Sequence, residues 1–215
     1  MQPQEKTIET YNATAESYAA TRMDELYGKH LDRMILKEFA ALNKNNGTCA
    51  DFGCGPGQTT KFLFDAGLHD IIGIDLSQGM VEVARRISPH IRFDTGDLLD
   101  LSYGADHFSS AVAFYAIVHF DYDEIAKAFR EVNRVLKNGA YFIFSYHAGE
   151  NTVHFDTANG IDVDIDLHFF QTDRILELLR DNGFTIIDAV ERLPYPDVEY
   201  ATKRAYVWAR KSLID

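Results

Sequence analysis

Apolar positions recur along the chain in two rhythms, and their alternation outlines an α/β fold. Over residues 5–22, Ile8, Tyr11, Ala15, Tyr18 and Ala19 fall at spacings that place them on one face of a helix. Leu31, Ile35, Phe39 and Leu42 repeat the pattern over 28–43. Runs of β-branched, aromatic and small apolar residues predict strands at 48–52, 71–75, 91–94, 109–115 and 140–146. Between them the spacing predicts helices at 59–66, 78–87 and 122–136, with Ser77 and Asp121 as N-caps and Asn138-Gly139 as a stop. After Tyr146 comes a polar stretch, 147–160, then an expected strand at 161–169, a helix at 173–180, and closing strands at 184–190 and 203–209. Strands alternating with helices imply βαβ units in a doubly wound, mostly parallel sheet. No linker, repeat or low-complexity tract divides the 215 residues, so 1–215 reads as a single domain.

Composition narrows the functions. The formal charge of −12 opposes capture by nucleic acid or anionic lipid and favours a small, neutral or cationic partner. The first thirty residues lack a basic segment followed by an apolar one, and no run approaches the ~20 apolar residues of a membrane span, so a cytoplasmic location is expected. Cys49 and Cys54 have neither disulfide-framework nor zinc-ligand spacing, and no metal site is expected.

The chemistry concentrates at Asp51-Phe52-Gly53-Cys54-Gly55-Pro56-Gly57-Gln58, a strand entering a glycine-dense turn. Glycine lets the backbone bend sharply there and approach a ligand. A dinucleotide turn wants its third glycine where Gln58 stands, and a Walker loop wants a Gly-Lys-Ser/Thr triplet that is missing. Acidic residues beside the turn suit a cationic ligand better than a pyrophosphate. About twenty residues on, Asp75 ends the second strand, where a carboxylate accepts from both hydroxyls of a ribose.

The D-x-G-x-G-x-G turn resembles motif I of class I S-adenosylmethionine-dependent methyltransferases. Asp75-x-Ser77-x-x-Met80, the Gly96-Asp97 step, the 136–140 turn and the 181–184 link resemble that family's later elements, so the likeness covers roughly residues 5 to 210. It implies a Rossmann-like sheet of seven strands with the last antiparallel. It further implies S-adenosylmethionine as cofactor, S-adenosylhomocysteine as product, and methyl transfer to a small-molecule acceptor.

In that reading Gly53 and Gly55 pass under the cofactor and Asp51 accepts from its amino group. Asp75 holds the ribose, and Met80 lies against adenine. Asp97 and the Leu98 amide read the adenine edge beside Gly96, with Cys54, Gly57, Leu76 and Phe114 as further cofactor neighbours. Tyr11-Asn12-x-x-Ala15-x-x-Tyr18 resembles the family's lid helix, so residues 1–43 are expected to lid the cofactor, with Tyr11, Tyr18 and Arg22 toward its carboxylate. One departure is Ser109, which stands where the family often has an acid.

In-line transfer from a sulfonium needs alignment and exclusion of water, and a base only when the nucleophile arrives protonated. His119, with Tyr115, follows the fourth strand at the ligand-binding edge and is the candidate base, the alternative being a packing role at the next helix. His147, His154 and His168 lie in or near 147–170, the variable segment expected to cover the acceptor, and Phe155, Phe169, Phe170 and Tyr195 are candidates for its apolar lining. Two other readings stay open: a nicotinamide-dependent oxidoreductase, and a non-catalytic S-adenosylmethionine-binding protein.

Overall fold

The computed structural model describes residues 3–158 and 160–213. Its elements are α1 (Pro3–Arg22), a short 3-10 turn (Glu25–Gly28), α2 (His30–Asn43), β1 (Cys49–Phe52), α3 (Gln58–Asp65), β2 (Ile71–Asp75), α4 (Gln78–Ile87), β3 (Arg92–Thr95), β4 (Phe108–Phe114), α5 (Tyr122–Val135), β5 (Leu136–Ala148), β6 (Thr152–Ala158), β7 (Ile161–His168), α6 (Thr172–Asp181), β8 (Phe184–Arg192) and β9 (Lys203–Lys211). Seven strands form one sheet in the order β3-β2-β1-β4-β5-β9-β8. The pairs from β3 through β5 are parallel, and β9 inserts antiparallel between β5 and β8. The expected fold class, including the antiparallel last strand, is thus observed.

The sheet buries both faces, which is why β1, β2 and β4 read as continuous apolar runs. One face packs Phe52, Phe108, Phe129, Phe142 and Phe144 with α5 and α6. The other packs Leu36, Phe39, Leu63, Val81 and Phe93 beneath α2, α3 and α4. Two helix starts follow the sequence signals: Ser77 Oγ accepts from the Met80 amide, and Asp121 with Glu124 forms a reciprocal capping box.

The structure departs from the sequence pattern in two places. The helix α5 ends at Val135 and β5 begins at once, so Asn138-Gly139 is an irregularity inside the strand rather than a helix stop; pairing skips from Phe108↔Leu136 to Ser110↔Tyr141. The polar stretch 147–160 contains β6, which pairs antiparallel with β7 as a hairpin outside the main sheet. The next β-branched run, expected as a strand over 161–169, therefore serves the hairpin. Ser109, where an acid was expected, accepts from the Lys137 ammonium at 3.2 Å.

The hairpin and α1 close over the carboxyl edge of the sheet. The helix α1 lies on α4 and β7, and Lys6 pairs with Asp164 at 2.5 Å. Strand order reverses between β1 and β4, and the crevice outside the carboxyl ends at such a point is where open α/β sheets bind ligands.

Candidate functional site

A cavity of about 400 Å³ occupies that crevice. Its floor is the β1–α3 turn. Gly53 has φ 65° and an added Cβ would stand 2.5 Å from Ala116 Cβ, so no side chain fits. Gly55 has φ 53°, and an added Cβ there meets only Gln58 Oε1 at 3.7 Å, so it would project into open space. The turn is held by Asp75, whose Oδ2 accepts from the Gly55 amide at 2.7 Å and Oδ1 from the Ser77 amide at 2.8 Å. Burial raises the Asp75 carboxyl above the ordinary carboxylate range, and these two amides counter the rise.

The cavity wall brings together Tyr11, Tyr18, Arg22, Gly53, Gly55, Asp75, Leu76, Met80, Gly96, Asp97, Leu98, Phe114, Tyr115 and His119. Three of the expected cofactor residues, Asp51, Cys54 and Gly57, lie behind that lining. Asp51 is buried beneath the turn, accepts from Thr60 Oγ at 2.6 Å, and is raised by burial to about 7. Asp97 accepts from the Leu99 amide at 2.8 Å and from the Gln4 side-chain amide of α1 at 2.6 Å.

The opposite half of the cavity is the chamber beyond β4. His119 sits between the two covering elements: its Nδ1 lies 2.6 Å from the Asp166 carbonyl of β7 and its Nε2 2.7 Å from the Tyr11 hydroxyl of α1. A carbonyl only accepts, so Nδ1 carries the hydrogen and Nε2 accepts from Tyr11. Burial lowers His119 to about 4, which keeps it neutral at neutral pH, and the same burial raises the Tyr11 phenol. Tyr115 follows β4 with φ 58°, a conformation unfavourable for a bulky side chain and found where surroundings enforce it. Phe155, Ile165 and Leu167 of the hairpin complete an apolar wall.

Other expected pocket residues are placed elsewhere. Phe169 stacks on His147, Phe170 joins the core, and Tyr195 packs against Arg192, none of them lining the cavity. His147 does line it, donating to or accepting from Thr202 Oγ at 2.7 Å, and burial beside Arg204 lowers it to about 3. His154 faces the outer side of the hairpin against Asp156 and Asp166, and His168 bonds to Thr152.

Sequence reading missed one wall entirely. Lys29, Asp32, Glu199, Tyr200 and Arg204 line the chamber from α2's start, from the loop between β8 and β9 and from the first residues of β9. Arg192 organises them, donating to Asp32 Oδ2 at 2.9 Å and to both Glu199 oxygens at 2.6 and 2.8 Å. Tyr206 donates to the same Asp32 oxygen at 2.8 Å. These partners come from segments 160 and 174 residues apart, a distance no local pattern spans.

The residues present fit S-adenosylmethionine on observations of their own. Gly55 leaves a gap that a side chain would fill, and Asp75, which lines the cavity, keeps lone pairs beyond its two backbone bonds, as suits an acceptor for ribose hydroxyls. The side-chain oxygen of Gln58, which lines the cavity, is buried with no partner among the described residues, as suits an acceptor for an ammonium group.

Comparison with known proteins agrees. Residues 49–139 match a family described as a methyltransferase domain. The chain is 34% identical over 109 residues to the methyltransferase YcgJ of Bacillus subtilis, covering 48% of this chain and 42% of that protein. It is 29% identical over 150 residues to the O-methyltransferase cnsE of Penicillium expansum, covering 66% and 53%. The chain spans about half the length of the curated relatives it matches. Among solved structures, magnesium protoporphyrin IX methyltransferase from Synechocystis, with bound S-adenosylmethionine, superposes with a TM-score of 0.74 at 17% identity over 99% of this chain and 98% of that one. The class read from the glycine turn agrees with these likenesses: residues 49–139 match a methyltransferase domain, and the fold is shared with solved S-adenosylmethionine-dependent methyltransferases. Among the described residues no helix is long and apolar enough to cross a membrane.

Proposed function

We propose that the protein methylates a small-molecule acceptor held in the chamber between His119, Tyr115 and the hairpin. The observation that carries this is the continuity of one cavity, from the Asp75 and Asp97 end under α1 to the chamber beyond β4. The domain match favours methyl transfer over the nicotinamide reading.

Gly53, Gly55, Asp75, Met80 and Asp97 would hold the adenosine, with Gln58, Tyr18 and Arg22 toward the amino-acid end. When bound there, S-adenosylmethionine supplies a methyl group on a positively charged sulfur, which leaves with the bonding electron pair as the acceptor's lone pair forms the new bond. The protein's contribution is alignment and a dry chamber: α1 and the hairpin exclude water from above. For a nucleophile that carries a hydrogen, Tyr11 and His119 form a relay. The Tyr11 oxygen accepts that hydrogen while its own proton passes to His119 Nε2, which burial keeps unprotonated and available. The Asp166 carbonyl holds the ring in the tautomer this requires.

Calorimetric titration with S-adenosylhomocysteine, with NADH as control, tests the cofactor half. Release of S-adenosylhomocysteine during incubation with S-adenosylmethionine and a small-molecule library tests the acceptor half. Tight binding with no turnover across acids, amines, phenols and thiols would favour a non-catalytic binding protein instead.

A further inference from the structure

Resting on the methyl-transfer reading, the chamber also indicates what kind of acceptor it takes. Arg204 and Lys29 are buried cations in its wall, their side chains 4% and 6% exposed. Charges are buried at a cost and are ordinarily matched by a hydrogen-bonded counter-charge. Glu199 is the carboxylate both cations share, but Arg192 already occupies both its oxygens, and the Tyr195 amide adds a third bond at 2.9 Å. Glu199 is consequently 3.8 Å from Arg204 Nε and 3.7 Å from Lys29 Nζ, beyond hydrogen-bond distance.

The other partners of Arg204 are neutral: Nη1 donates to the carbonyl and hydroxyl of Thr202, and Nη2 to the Tyr200 carbonyl at 2.9 Å. Nε and one Nη2 hydrogen are left over from the guanidinium's five donors. Lys29 has one close counter-charge, Glu25 at 3.0 Å. Both cations lean over the Tyr115 ring, 5.3 Å from its centroid for Lys29 and 5.7 Å for Arg204. The same two cations help to suppress protonation of His147 beside them.

We propose that this wall anchors a carboxylate of the acceptor, with Arg204 as the principal anchor and Lys29 assisting, and that the acceptor is an amphipathic carboxylic acid whose apolar body lies along Phe155, Ile165 and Leu167. The placement sets Arg204 apart from the cofactor's own carboxylate, whereas Lys29 lies toward it, since Lys29 and Arg22 both approach Glu25 Oε2, at 3.0 and 3.6 Å. Arg204 of β9 stands opposite His147 of β5, and β9 lies three strands from β1 in the sheet, roughly 14 Å at the usual strand spacing. The wall is formally balanced, Lys29, Arg192 and Arg204 against Glu25, Asp32 and Glu199, so the preference comes from the Arg204 donors left unused rather than from net charge. The guanidinium fork matches a carboxylate geometrically, which a neutral amide does not reproduce.

The test uses the intact protein, with and without saturating S-adenosylhomocysteine, titrated with benzoate, phenylacetate, 3-phenylpropionate and octanoate, each against its primary amide. The expected result is that at least one acid binds tenfold or more tighter than its amide. Arg204→Gln should erase that difference, and Arg204→Lys should restore part of it. Affinity for S-adenosylhomocysteine should stay within threefold in both variants. Equal binding of acids and amides to the wild-type protein, or binding of neither, overturns the proposal without any variant having to fold. A parallel loss of S-adenosylhomocysteine affinity in Arg204→Gln also overturns it, assigning the residue to the cofactor's carboxylate. Failure of the wild-type protein to bind S-adenosylhomocysteine sinks the methyl-transfer reading instead, and the acid-against-amide comparison still reports on the anchor.

Discussion

Asp75→Asn isolates the contact on which the cofactor half depends. The carboxylate accepts from two backbone amides at 2.7 and 2.8 Å and, in the proposed complex, from the ribose hydroxyls. Asparagine keeps one acceptor oxygen and puts an NH2 group in place of the other; the change at the backbone amides is common to free and bound protein, so Kd reports one ribose bond lost and the other made neutral. Hydrogen bonds to charged groups contribute about 1.5–3 kcal/mol and neutral ones about 1. Losing one and weakening another amounts to about 2–4 kcal/mol, or roughly 30- to 1000-fold in Kd for S-adenosylhomocysteine. Calorimetry on wild type and variant, each with S-adenosylhomocysteine and its 2′-deoxy analogue, forms a thermodynamic cycle. The wild-type protein should prefer the hydroxylated ligand about tenfold or more, and Asp75→Asn should lose most of that preference. A Kd shift under threefold, or a preference undiminished in the variant, refutes the assignment of Asp75 to the ribose.

Three further outcomes are expected. His119→Gln and Tyr11→Phe should each lower kcat by about 10²–10⁴-fold on an acceptor with a protonated nucleophile, the range of acid–base assistance, while S-adenosylhomocysteine affinity stays within threefold; unchanged kcat in both removes the relay. His147 is held near 3 in the folded protein, below its unfolded value, so the unfolded chain binds the extra proton and the residue's contribution falls as pH drops from about 6.5 toward 3. Urea unfolding of His147→Asn should therefore gain on wild type by up to ~1.4 kcal/mol per pH unit over that window, and parallel pH profiles would contradict the burial described. Arg192→Met leaves Asp32 and Glu199 without their hydrogen-bonded cation and should cost about 3–5 kcal/mol in denaturant unfolding; a cost below 1 would mean that Lys29 and Arg204 suffice as counter-charges.

The parts of this molecule legible in its sequence are those where the physics is local. The glycine turn, Asp75, and the caps at Ser77 and Asp121 each act within a few residues, so the carboxyl edge from β1 to β3 could be placed from spacing alone. The second strand of the hairpin was expected, but the first strand and their pairing were hidden because the outward His154, Asp156, Asp162, Asp164 and Asp166 dominate the composition, while the inward Phe155, Ile165 and Leu167 cover a cavity rather than a core. The wall of Lys29, Asp32, Glu199 and Arg204 was hidden for another reason. Each residue is unremarkable in its own segment, and only the return of β9 beside β5 brings them together.

The bond between Gln4 and Asp97 makes the first turn of α1 a ligand for its own pocket. The Gln4 amide offers Asp97 the same kind of donor as an adenine amino group, and it does so from a tether, where local concentrations reach the millimolar range. An arriving adenosine competes with a resident that never diffuses away, so the observed Kd is the intrinsic one divided by the fraction of time Asp97 stands free. Gln4→Ala should accordingly tighten S-adenosylhomocysteine binding and quicken its association, because the helix that covers the site also taxes admission to it.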